Sequence, residues 1–137
     1  MATLRILELL EASQSIEKKL NLGLVYSRLR LPQFRTLLLL EKAGKMTVSD
    51  LSRCLNVTRA TMSVLVNQLV ENDLLEIVKH KKDKRSFFLQ LNEKGEARLK
   101  LAKHELAMVM DRLDLDLEEE KIEILNAFST EVLSKKT

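Results

Sequence analysis

The sequence predicts a mainly α-helical domain carrying one small β-hairpin, and three observations predict it. Aromatic residues make up only 4% of the 137, and Gly and Pro together number four. Sandwiches and barrels need aromatic, β-branched strands and many turn residues, so this composition favours helices. Apolar residues recur every three or four positions along most of the chain, and only between Leu75 and Leu91 does the period fall to two.

The elements follow in order. Leu4, Leu7, Leu10, Ile16, Leu20 and Leu24 mark a long amphipathic helix that frays or bends near Gly23. Pro32 suits the first turn of a second helix, where its missing N–H costs nothing. That helix carries Phe34, Leu37, Leu38 and Leu40 and ends at Gly44, read as a left-handed cap. Thr47-Val48-Ser49-Asp50 has the form of a capping box opening a short helix through Leu55, with Val48, Leu51 and Leu55 buried. Asn56-Val57 makes a tight turn, and Thr58 caps a helix reaching about Asn72. Leu75, Ile77 and Lys79 then alternate with Glu76, Val78 and His80, and Phe87, Leu89 and Leu91 alternate with Phe88 and Gln90. These two strands flank the polar stretch 81–84 and form a hairpin. Asn92 caps a helix with apolar residues at Leu99, Ala102, Leu106, Val109 and Leu113. Asp116 and Glu119 suggest a second capping box, for a last helix bearing Ile122, Leu125, Phe128 and Val132.

Charge is unevenly spread. Residues 1–44 hold seven basic against four acidic side chains, residues 45–92 eight against five, and residues 93–137 eight against eleven. A localised positive field points to a polyanionic partner. Cys54 is the sole cysteine, so no intrachain disulfide forms. A lone cysteine of this kind is read as structural, and no sensor role is expected. One Cys with the scattered His80 and His104 makes no metal-ligand cluster, and no cofactor is expected. Arg5, Glu8 and Glu11 interrupt any signal-peptide core, and the apolar run Leu37 to Leu40 is too short for a bilayer. The expected location is cytoplasmic, without membrane contact. No glycine-rich phosphate loop, nucleophile elbow or paired His–carboxylate pattern is visible, so no enzymatic activity is expected.

Short helix, tight turn, helix and basic-tipped hairpin is the layout of a winged helix-turn-helix. Over Thr47 to Val78, and again over Lys81 to Gly95, the sequence resembles the MarR family of transcription regulators. The wing signature Asp-x-Arg stands as Asp83-Lys84-Arg85, and the strand-to-helix junction as Leu91-Asn92-Glu93-Lys94-Gly95. Departures are mild. Asp73 stands where the family usually has Gly, and Asp tolerates a left-handed conformation. Asn92 replaces a common Thr, and Ile77 a commonly basic residue. The resemblance implies a winged helix-turn-helix core at 31–92, flanked by an N-terminal dimerisation helix at 1–30 and C-terminal dimerisation helices at 93–137.

On a helical wheel Met62, Leu65, Val66 and Leu69 form the buried face of the helix after Thr58. Ala60, Ser63, Val64 and Asn67 form the opposite face, with Thr61 and Gln68 at its margin. These short side chains let the helix approach base edges in a major groove. Ala60 and Val64 suit thymine methyls and Asn67 suits adenine, so A·T-rich half-sites are expected. Thr58, Arg59 and the amides at the helix start are expected to hold phosphate. Residues 79–85 carry five basic side chains, Lys82, Lys84 and Arg85 among them, against Asp83. The resemblance implies that Arg85 enters the minor groove and that Asp83 fixes its rotamer.

One recognition helix reads too few base pairs for useful specificity. A homodimer with two recognition helices about 34–36 Å apart on double-stranded DNA removes that limit and implies a palindromic operator. Many relatives release DNA on binding a small aromatic or phenolic ligand in a crevice beside the dimer helices; Tyr26, Arg30 and Phe34 are candidate lining residues here. Repression is the expected mode. The rival reading is a winged-helix protein-interaction module that has lost DNA binding, which would have no need of Arg85 and the basic wing.

Overall fold

The computed structural model describes residues 1–83 and 85–135. It contains α1 (Ala2–Gly23), α2 (Leu31–Ala43), α3 (Val48–Leu55), α4 (Arg59–Glu71), β1 (Leu75–Lys79), β2 (Phe87–Leu91), α5 (Glu93–Leu113) and α6 (Glu119–Ser134). The order of four helices, a hairpin and two helices is the expected one. The core gathers Leu37, Leu40, Leu51, Met62, Leu69, Leu74, Leu89 and Leu99 from α2 to α5, all essentially without solvent contact. Burying each contributes about 1.5–3 kcal/mol.

Local chemistry sets the boundaries. Thr47 and Asp50 form the capping box: the Asp50 N–H donates to Thr47 Oγ1 and the Thr47 N–H to Asp50 Oδ2, each at 3.1 Å. Asn56 then takes a left-handed conformation, φ 54°, and turns the chain into Thr58. The left-handed Asp73, φ 59°, closes the other end of α4, as the sequence requires where glycine is missing. At the junction after β2, the Gly95 N–H donates to Asn92 Oδ1 at 2.7 Å, and the Asn92 amide donates to the Asp73 carbonyl at 2.8 Å.

Two expectations are corrected. Gly44 has positive φ (85°) but ψ of −56°, so it reverses the chain outside the left-handed helical basin, a geometry glycine reaches without strain. Asp116 caps nothing: α6 starts at Glu119 behind an extended Glu118 with no side-chain cap bond. Glu119 and Glu120 complement the helix dipole in its first turn instead. On α5, Leu99, Ala102 and Val109 are buried within the chain.

The hairpin pairs antiparallel with Leu75 opposite Leu91 and Lys79 opposite Phe87. An isolated bridge at Met46, which periodicity does not show, adds to it on the β2 side. The Met46 N–H donates to the Leu89 carbonyl at 3.1 Å and the Leu89 N–H to the Met46 carbonyl at 2.8 Å. β2 is thus central and β1 the outer edge. Leu89 is consequently buried, while its partner Ile77 on the same face is 55% exposed.

Two carboxylates make the fold acid-sensitive. Asp50 is held below its usual value by the Thr47 amide and hydroxyl, and more weakly by Arg53. Burial pushes Glu105 up, but bonds from Ser27, Tyr26 and Val25 outweigh burial and hold it low. A lowered folded value means that the stability is complete above the unfolded carboxylate range, about pH 4, and is lost as acid carries each group through its folded value. Thermal midpoints followed downward from that pH will therefore fall, and less steeply in Asp50→Asn and Glu105→Gln. Parallel curves for wild type and both variants would contradict this assignment.

Candidate nucleic-acid interface

α4 lies across the core with Met62, Val66 and Leu69 inward and Leu65 half-buried. Ala60, Thr61, Ser63, Val64, Asn67 and Gln68 are all exposed, and Val64 shows 59% of its surface. An exposed valine at the middle of a helix is free to contact an apolar group of a ligand. The helix start is well ordered. Thr58 Oγ1 accepts the Thr61 N–H at 3.1 Å and donates to Thr61 Oγ1 at 2.9 Å. That hydroxyl is committed to the cap. Among the described residues, the Arg59 and Ala60 amides have no partner in the chain. Those two amides and the Arg59 side chain are what the helix start offers to an anion.

Gln68 is engaged at its other end. Gln33 Nε2 on α2 donates to Gln68 Oε1 at 3.2 Å, which leaves the Gln68 amide group to point outward.

In the wing, Asp83 acts on Arg85 differently from the expectation. Its Oδ1 accepts the Arg85 backbone N–H at 3.0 Å, and the Ser86 N–H donates to the Asp83 carbonyl at 3.2 Å. Among the described residues, no ion pair joins the Asp83 and Arg85 side chains. Asp83 therefore holds the Arg85 backbone, as a short acidic side chain does in an Asx-turn, and does not neutralise the guanidinium. Asp83→Asn keeps this acceptor and Asp83→Ala removes it. The alanine variant is expected to lose DNA affinity by about 1 kcal/mol, close to the net value of one hydrogen bond, and the asparagine variant little. Titrating a labelled duplex with each variant checks the pair; equal losses would contradict the turn role. Lys84, also expected at this surface, lies outside the described residues.

His80, in sequence only a scattered histidine, holds the wing turn together. Its Nδ1 accepts the Lys82 N–H at 3.2 Å and the Asp83 N–H at 3.1 Å. Its ring stacks on Phe88 with centroids 4.7 Å apart, and Lys45 Nζ sits 4.6 Å from the centre of the Phe88 ring. A polar acceptor two and three residues before backbone donors in a short loop is the signal that could have found it.

Helix and wing come together. Arg59 and Ser63 of α4, Thr47 and Ser49 at the α3 start, and His80, Asp83, Arg85 and Phe87 of the hairpin line one open cleft of about 530 Å³. A second, largely apolar cavity of about 350 Å³ lies on the other flank of α4, between Arg30, Pro32, Gln33, Thr61, Val64, Leu65 and Gln68. Of the three candidate ligand residues, Arg30 lines this cavity; Tyr26 is 80% exposed, and Phe34 packs half-buried on the core. Cys54 is exposed. Among the described residues, no helix is long and apolar enough to cross a membrane.

Comparison with known proteins places this geometry. Residues 29–86 match the model of the MarR family. Among curated proteins, none matches the sequence. Solved structures do match in fold. A cysteine-to-serine mutant of MarR from E. coli complexed with operator DNA is 20% identical with a TM-score of 0.81, covering 97% of this chain and 94% of its own. The regulator BldR from Sulfolobus solfataricus is 20% identical at 0.82, covering 95% and 96%. BpsR of Bordetella bronchiseptica, whose DNA binding is regulated by 6-hydroxynicotinic acid, is 17% identical at 0.81, covering 93% and 91%. At such identities the likeness is one of fold.

Proposed function

Because residues 29–86 match the model of the MarR family, a family of transcription regulators, we propose that this chain is a sequence-specific double-stranded DNA-binding regulator. It acts in the cytoplasm as a homodimer that represses from a palindromic operator. The observation that carries the reading is the shared cleft, where the exposed start of α4 and the arginine-bearing wing face the same space. An α4 seated in a major groove puts Ala60, Ser63, Val64 and Asn67 at base edges, while Arg59 and the first amides meet the backbone. Lys82 and Arg85 then lie on the adjoining phosphates and minor groove.

Pairing is supported by what the single chain leaves uncovered. α6 buries none of its residues, and Ile122, Ile124, Leu125, Phe128 and Val132 are exposed on it. Leu4, Ile6, Leu7, Leu9 and Leu10 are exposed on α1. Helical stability in proteins comes mostly from packing an amphipathic face, so a second copy is the fitting cover. Control by a small aromatic acid is part of the reading: the apolar cavity rimmed by Arg30 abuts the base-reading helix, and BpsR answers to such a ligand.

Selection of bound duplexes from a random pool tests the proposal. A·T-rich inverted half-sites are expected, with log affinity falling linearly with log salt and a slope about one unit shallower in Lys82→Ala. Half-sites made only of G·C pairs would refute the assigned base contacts. Affinity for no duplex at all would favour a protein-interaction module.

A further inference from the structure

The loop joining α1 to α2, residues 24–30, has no regular secondary structure, yet Leu24, Ser27 and Leu29 within it are buried. α5 supplies its hydrogen bonds. Glu105, only 7% exposed, accepts the successive amides of Val25 at 2.9 Å, Tyr26 at 2.8 Å and Ser27 at 3.0 Å. Two turns earlier on the same face of α5, Arg98 donates to the Ser27 carbonyl at 3.0 Å. One turn later, α1 crosses α5 so closely that a Cβ on Gly23 would stand 2.2 Å from Val109 Cγ2. Asn21 Oδ1 accepts the Leu31 N–H at 2.9 Å and ties the end of α1 to the start of α2.

Within the single chain α1 buries none of its own residues but packs on α5 and α2, and this junction is where its C-terminal end is tied by hydrogen bonds. A helix of 22 residues is a lever of about 33 Å. A turn of about 10° at its base moves the far end by about 6 Å, well over the base-pair rise of about 3.4 Å.

We propose that Glu105 and Arg98 form a latch that fixes the angle between the α1 arm and the DNA-binding lobe, and so fixes the separation of the two α4 helices in the dimer. Glu105 is a positioning residue: it touches no DNA and determines which half-site spacing the pair accepts. The inference rests on the paired, DNA-binding reading given above. Gln in place of Glu105 keeps the shape but replaces one of the two accepting oxygens with an NH2 donor, so at least one of the three amides loses its acceptor and faces a donor, which loosens the loop. Arg98→Met keeps the apolar stem and loses only the bond to Ser27, a milder change that preserves the test should Glu105→Gln not fold.

The exposed Cys54 on the lobe is the sole cysteine, so one spin label per chain reports the lobe-to-lobe distance in the full-length dimer. Wild type is expected to give one narrow distance distribution, and both variants a broadened or displaced one. In parallel, selection on half-sites of varied separation should show roughly tenfold less discrimination between spacings, with the base preference within each half-site unchanged. An unaltered distribution and spacing preference in either folded variant overturns the latch and leaves the regulator reading intact. No coupling between labels in wild type means that no pair forms, and both fall together.

Discussion

Arg85→Ala weakens operator binding by about 1–3 kcal/mol for each wing, which is roughly 5- to 150-fold per half-site. The expectation follows from what holds the residue. The Asp83 carboxylate pins the Arg85 backbone, and His80 Nδ1 fixes the turn just before it, so the guanidinium is presented without being neutralised. An exposed arginine that forms no ion pair among the described residues finds its partner in the narrow, strongly negative minor groove of A·T-rich DNA. Arg85→Lys keeps the charge but not the planar donors. It should restore the salt-sensitive background binding and leave the preference for A·T at the wing positions lost. Equilibrium titration at one fixed salt, on the selected duplex and a scrambled one, separates the two contributions. Equal affinity of wild type and Arg85→Ala on both duplexes would remove the wing from the interface.

Gly95→Ala is expected to have the largest effect on stability. A Cβ there would stand 2.1 Å from the Leu74 carbonyl oxygen and 3.1 Å from its carbon, with Leu91 Cδ2 at 3.3 Å. The first two are backbone atoms between α4 and β1, so relief requires moving the chain that carries the wing. The same carbonyl accepts the Asn92 N–H, which strains the α5 cap as well. Overpacking of this kind costs about 1–3 kcal/mol, and the upper end applies because backbone must yield. The thermal midpoint should drop by roughly 5–10 °C. Alanine at the neighbouring exposed Glu96 is the control. An unshifted midpoint in Gly95→Ala would mean that the α5 start is looser than its packing implies.

The helix-turn-helix was legible because its signals are local. Thr47, Thr58 and Asn92 each act within three residues, and the left-handed turns at Asn56 and Asp73 fall on residues suited to them. The exposed face of α4 followed from its period alone, since only one side of that helix is apolar enough to bury. Three things escaped, each for a physical reason. Glu105 meets amides almost eighty positions away, and a glutamate within an α5 face reads as solvent-facing until the loop is packed on it. Met46 joins β2 through backbone groups, which no side-chain pattern records. His80 acts as an acceptor for loop amides, a role that any surface histidine could be given from sequence. The reverse error occurred at Asp116, where a motif of the right letters and spacing precedes the helix start by three residues and caps nothing.

Hydroxyl-radical footprinting of the wild-type protein on its selected duplex tests the central claim most directly. Two protected stretches related by a dyad are expected, about one helical turn apart, each flanked by minor-groove protection that vanishes in Arg85→Ala. A single protected stretch, or protection unaffected by the loss of Arg85, would contradict the account.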